Sequence, residues 1–155
     1  MVSPELLRRY PFFGVLNNEQ LKSIAVIADE ISVAAGTKLF EECQQADTFY
    51  LLIEGSVELS YKSEEEFHPK STKVFSVGDI NPEEVFGISS LVQPYEYNAA
   101  GTASKDSRIL KINAVDLRKL LDEDTELGYI LMHQVAKAIM ERLSYTRVQL
   151  AAAWG

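Results

Sequence analysis

The chain has 155 residues, of which 46% are apolar and 25% charged, with a formal net charge of −8 and a pI near 4.8. That length buries a hydrophobic core without metal or disulfide staples, so a single domain spanning 1–155 is expected. The acidity argues against direct nucleic-acid binding, which rests on clustered Lys and Arg that displace counterions from phosphates, and no apolar run approaches the roughly 20 residues of a membrane span.

Cys43 is the one cysteine and cannot form an intrachain disulfide. The first residues lack the apolar stretch and small-residue cleavage site of a secretory signal. The expected location is cytoplasmic, with no membrane and no nucleic acid among the direct partners.

From Ser3 to Ile31 the apolar residues Leu6, Leu7, Tyr10, Phe12, Phe13, Leu16, Leu21, Ile24, Ala25 and Ile27 recur at helical spacing, interrupted by Pro11 and Gly14. This pattern predicts two short helices with a turn between them. The second starts after Asn17 or Asn18, where Gln20 is placed to complete a capping box.

From Ile31 to Ile112 the period changes to two, punctuated by Gly36, Gly55, Gly78, Gly87 and Gly101. The predicted strands are Ile31 to Ala34, Lys38 to Phe40, Thr48 to Glu54, Ser56 to Tyr61, Lys73 to Val77, Ala99 to Ala103 and Ser107 to Ile112. Apolar residues on both sides of Gly55 predict a tight hairpin there. Lys62 to Ser71, with Glu64, Glu65, Glu66 and Pro69, is expected to be an exposed loop.

After Ile112 the helical period returns. Asn113 is placed to cap a helix over Ala114 to Leu121, with Asp116 complementing its dipole. A long last helix is expected from Asp124 or Thr125 to about Leu150. In it Met132, Ala136, Ile139, Leu143, Thr146 and Leu150 follow a four-three spacing beside a second stripe, Leu131, Val135 and Ala138. Two apolar faces need two partners. One stripe is expected to cover the β core and the other, Met132, Ala136, Ile139, Leu143 and Leu150, to form a homodimer seam.

The order of these pieces resembles the cyclic-nucleotide-binding domain family of the catabolite-activator and protein kinase A regulatory-subunit type. The local likeness lies in Pro11-Phe12-Phe13 through Ile24-Ala25, Ala35-Gly36 through Leu39-Phe40, Ala46 through Val57, Val77-Gly78-Asp79, and a cassette from Phe86 to Ala100. The resemblance implies a mainly β fold, a jelly-roll-like β-roll (double-stranded β-helix) over 31–112, flanked by N-terminal helices over 1–30 and C-terminal helices over 113–155. It implies a non-enzymatic regulatory or sensor module, with no cofactor beyond a possible small ligand of the cyclic-nucleotide type. No DNA-binding segment is expected beyond the last helix, so a signal is expected to pass through homodimer contacts or to a separate effector protein.

In typical members the cassette reads Gly-Glu-x-x-Leu and, some residues later, Arg-x-Ala; the glutamate accepts from the ribose hydroxyl and the arginine neutralises the phosphate. On this chain the glycine is Gly87 and the leucine Leu91. Ile88 stands at the glutamate position, and Tyr97 at the arginine position, or Asn98 if the loop is one residue longer, with Ala99 following. Losing two charged hydrogen bonds weakens binding by roughly 3 to 6 kcal/mol, about two to four powers of ten. Glu83 and Glu84 are expected to add negative charge near the phosphate site.

The expected ligand-facing residues are Gly87, Ile88, Ser89, Ser90, Tyr97, Asn98 and Ala99 in the cassette and Thr146 on the last helix. Ser89, Ser90, Tyr97 and Asn98 suit a neutral or weakly anionic ligand. Three readings stay open: an altered or weak ligand, a pocket filled by Tyr97 in a ligand-free interaction module, and a genuine cAMP or cGMP binder. A metal-dependent β-roll enzyme is disfavoured by having only His68 and His133.

Overall fold

The computed structural model describes residues 1–65 and 68–155. Three short helices open the chain: α1 (Pro4–Arg8), α2 (Pro11–Gly14) and α3 (Asn18–Val26). Pro11 starts α2 where a missing N–H costs nothing, so the expected turn between two helices is itself a helical turn. Asn17 caps α3, accepting from the Gln20 N–H at 2.9 Å while the Gln20 side chain accepts from the Asn17 N–H at 3.0 Å. The capping box is thus complete.

Eight strands follow: β1 (Ala28–Val33), β2 (Lys38–Phe40), β3 (Thr48–Glu54), β4 (Val57–Glu65), β5 (His68–Ile80), β6 (Val85–Phe86), β7 (Ala100–Ala103) and β8 (Ser107–Asn113). They form two four-stranded antiparallel sheets, in the orders β1-β8-β3-β6 and β2-β7-β4-β5. Helices α4 (Ala114–Glu123) and α5 (Thr125–Trp154) close the chain, capped by Asn113 and Asp124 as their side chains accept from Asp116 and Leu127 N–H groups. The mainly β roll with flanking helices stands as expected.

Several details differ from the sequence expectation. Gly55 does not turn a hairpin: β3 and β4 lie in different sheets, so the turn is a corner. The Ser56 N–H donates to Ser107 Oγ at 3.2 Å, and at Gly55, with φ +107, a Cβ would lie 2.2 Å from that oxygen. The corner therefore needs glycine both for its backbone and for space. Second, the expected loop Lys62 to Ser71 is largely strand, because β4 and β5 pair from Val57↔Ile80 out to Glu65↔His68; Glu66 and Phe67 lie outside the described residues. Third, β5 runs through Gly78 to Ile80, absorbing a register shift opposite Leu59 and Ser60. Fourth, β1 begins at Ala28, since it pairs with β8 down to Ala28↔Ile112.

Period-two alternation divides the interior. In β3, Phe49 and Leu51 join the core shared with α1 to α5, whereas Tyr50 and Leu52 join the space between the sheets. In β8, Leu110 and Ile112 take the helical side and Ile109 the inter-sheet side. Phe12 and Phe13 are buried against the helical core, in an edge-on pair 4.9 Å apart.

Helix α5 is buried only at its start, through Leu127, Leu131 and Val135. At 30 residues it is about 45 Å long, and from Leu143 onward every residue is exposed. No helix among the described residues is long and apolar enough to cross a membrane.

Candidate functional site

A cavity of about 650 Å³ opens between the cassette, strands β4 and β5, and α5. The chain reaches it through Gly87, whose φ of +69 turns β6 into a short 3-10 helix, Ile88–Leu91. A Cβ at Gly87 would lie 2.9 Å from Tyr50 Cδ2 and 3.1 Å from the Thr48 carbonyl oxygen. Ser90 is fully buried and its hydroxyl donates back to the Gly87 carbonyl at 2.6 Å. It therefore holds the turn and does not line the cavity.

Gly87, Ile88, Ser89, Tyr97, Asn98 and Ala99 all line the cavity, as do Ile139, Leu143 and Thr146 from α5. The Thr146 hydroxyl is bonded to the Arg142 carbonyl at 2.9 Å. Met132, Ala136 and Leu150 are exposed on α5 away from the cavity. His133 is exposed on the same helix, and nothing is described of the His68 side chain.

Tyr97 forms part of the cavity floor. Its ring stacks on Phe40 with centroids 4.1 Å apart, in a series that continues from Phe40 to Tyr50 at 5.6 Å and from Tyr50 to Phe86 at 4.8 Å. Its hydroxyl donates to the Thr48 carbonyl at 2.7 Å and accepts from the Thr48 N–H at 3.2 Å. Burial first, then the nearby Tyr50, pushes the phenol pKa far above its ordinary value. Tyr97 is thus a neutral aromatic with its polar tip already satisfied, yet it leaves the cavity above it open.

The rest of the cassette is fixed by backbone. Cys43 N–H donates to the Tyr97 carbonyl at 2.8 Å, Tyr97 N–H to the Gln44 carbonyl at 2.9 Å, and Ala46 N–H to the Tyr95 carbonyl at 2.7 Å. Cys43 has a φ of 67 and an exposed free thiol. Among the described acidic residues it is Glu96 that reaches the cavity; Glu83 and Glu84, expected there, form the turn into β6 and do not line it.

Two arginines were not anticipated as site residues. Arg118 on α4 donates to the Ser90 carbonyl at 2.6 Å and lies 4.0 Å over the Tyr95 ring, so it clamps the cassette from behind. Arg142 on α5 lines the cavity and donates to the Val85 carbonyl at 2.6 Å. The spacing of four from Arg142 to Thr146 puts both on one helix face and was readable in the sequence. The direction of the guanidinium was not.

Among families, the model described as cyclic nucleotide-binding domain matches residues 30–124. The chain belongs to that family. A solved structure of a protein from Geobacter metallireducens GS-15, named for cyclic-nucleotide binding, is 41% identical with a TM-score of 0.80, covering 92% of this chain and 99% of that one. The N-terminal domain of a transcriptional regulator from Streptomyces coelicolor A3(2) is 28% identical with a TM-score of 0.67, covering 90% and 94%. The catabolite activator protein of Thermus thermophilus shares the fold at 20% identity and a TM-score of 0.68, covering 92% of this chain and 62% of that one. No curated protein matches. Membership makes this a domain of a regulatory family, and within its cyclic nucleotide-binding domain fold the cassette of this chain presents Ile88 and Tyr97 to the cavity.

Proposed function

We propose that this chain is a non-enzymatic, ligand-sensing regulatory domain of altered specificity, whose cavity takes a small neutral or weakly anionic molecule in preference to cAMP or cGMP. The observation that carries this reading is a cavity of about 650 Å³ whose cassette side, among the described residues, offers no cation. The volume lies inside the roughly 300 to 1,000 Å³ of small-molecule sites. Tyr97 sits in the floor and does not fill the space, which favours a ligand over an occluded pocket.

Output runs through α5, because Ile139, Leu143 and Thr146 line the cavity while the same helix carries the exposed residues Met132, Ala136 and Leu150. A ligand acts as a switch only through different affinity for two positions of that helix. The helix then meets a second copy of the chain or a separate effector protein.

The test is a thermal-shift screen with cAMP, cGMP, cyclic dinucleotides, mononucleotides and small carboxylic and neutral metabolites. A ligand at a hundredfold over its dissociation constant adds about 2.7 kcal/mol of stability. The expected result is little shift with cAMP or cGMP and a clear shift with a neutral or carboxylate-bearing metabolite. Saturable micromolar cAMP binding would reject the altered specificity, and no shift across the panel would favour a ligand-free interaction module.

A further inference from the structure

Arg142 is half-buried on α5 with its side chain at the cavity wall. Its guanidinium has five N–H donors, and the bond to the Val85 carbonyl is the one recorded for it among the described residues. None of the ion pairs among the described residues includes it. Desolvation pushes its pKa down from the ordinary value, and the field of Glu84 only partly opposes this. A cation withdrawn from water without a counter-ion is unfavourable, and an anion arriving beside it gains most where solvent is excluded.

Among the described residues, Arg142 is also the one cationic residue in the cavity lining. The walls around it are apolar, with Phe40, Leu59, Val77, Ile139 and Leu143, and the exposed Glu96 adds a negative charge at the rim. Arg142 is thus the group in the described lining that attracts an anion, and Glu96 at the rim disfavours a ligand with several negative charges.

We infer that Arg142 is the anion-binding group of this cavity, and that its ligand class is a small organic carboxylate with an apolar body. The inference rests on the ligand-sensing reading above and adds the charge, chemistry and grip of the ligand. The guanidinium fork matches a carboxylate with two parallel hydrogen bonds, while the hydrocarbon or aromatic part lies against Phe40, Leu59 and Leu143. The carboxylate takes the donors that the Val85 carbonyl leaves free, so the ligand is joined to the tether between α5 and β6.

The test uses 2-naphthoate and 2-naphthamide, a pair matched in shape and differing in charge, titrated calorimetrically into the intact chain near pH 7. The expected result is at least about tenfold tighter binding of the carboxylate, equivalent to about 1.4 kcal/mol. Arg142→Gln is expected to abolish that preference and Arg142→Lys to keep part of it. Equal affinity of wild type for the two compounds, or a preference that survives in folded R142Q, overturns the inference. Binding of the amide without charge preference does so while leaving the ligand-sensing reading standing. If neither compound binds wild type, the inference falls, and the sensing reading is then decided by the metabolite panel. Should R142Q fail to fold by circular dichroism, the wild-type comparison and R142K still decide.

Discussion

The Tyr97 hydroxyl and the Thr48 backbone form a two-way clasp, donating to the carbonyl at 2.7 Å and accepting from the N–H at 3.2 Å. The clasp joins the cassette to the first residue of β3 across 49 positions of chain, and it holds the ring on Phe40. Tyr97→Phe keeps the ring and removes the clasp, leaving the Thr48 N–H and carbonyl without that partner, at a cost of about 1 to 3 kcal/mol. Urea unfolding at neutral pH measures it; an unchanged midpoint would show that the clasp contributes nothing.

The raised pKa of Tyr97 gives that comparison a pH dependence. An acid whose folded pKa exceeds its unfolded value, about 10 for tyrosine, contributes stability that is fully present below pH 10 and is lost as pH rises above it. Wild type is therefore expected to lose stability between neutral pH and pH 11 more steeply than Tyr97→Phe. Parallel stability curves over that range would contradict the assignment.

Restoring the family's charges should restore its ligand. Ile88→Glu with Tyr97→Arg places a carboxylate and a guanidinium where Ile88 and Tyr97 line the cavity. The same change removes the stack on Phe40 and buries a charge, so the unliganded double variant is expected to melt below wild type. Added cAMP is expected to raise its melting temperature several degrees more than that of wild type. A folded double variant indifferent to cAMP would sink the placement of these two positions.

Much of this architecture was legible in local chemistry. The caps Asn17, Asn113 and Asp124, the strands Lys38–Phe40 and Thr48–Glu54, and the long last helix all follow from signals within a few residues. The Gly55 corner was not legible, because a hairpin and a sheet-to-sheet corner share one local pattern, and Ser107, which selects between them, lies 51 residues away from its partner Ser56. Strand β6 was also hidden, since two residues carry no period and pair only through Tyr50↔Phe86 and Leu51↔Val85. The cassette was readable as a motif, whereas the roles of Ser90, Arg118 and Arg142 depend on where side chains point in space.

Gly87 is required twice over. Its φ of +69 strains any residue with a Cβ, and the added carbon would meet Tyr50 and the Thr48 carbonyl oxygen within 3.1 Å. Gly87→Ala is therefore expected to destabilise by about 1 to 3 kcal/mol and to shift the 3-10 helix that borders the cavity. Chemical denaturation checks the magnitude. A variant as stable as wild type would mean that the turn relaxes freely, and that the close approach to Tyr50 is not a constraint.

The outer face of α5 leaves Leu150 58% exposed and Trp154 85% exposed, beyond any support from the β-roll. An isolated helical end gains little from propensity alone and is held by packing of an apolar face. We propose that the row Met132, Ala136, Ile139, Leu143 and Leu150 supplies that face, with a second copy presenting the same row as its complement. Ile139 and Leu143 also line the cavity, so the clean probe is Ala136→Glu with Leu150→Glu, which leaves the cavity wall intact. Sedimentation equilibrium is expected to give the mass of two chains for wild type and of one for the double variant, because carboxylates facing each other across a seam repel. Equal masses for the two proteins would place any self-association elsewhere than this helix.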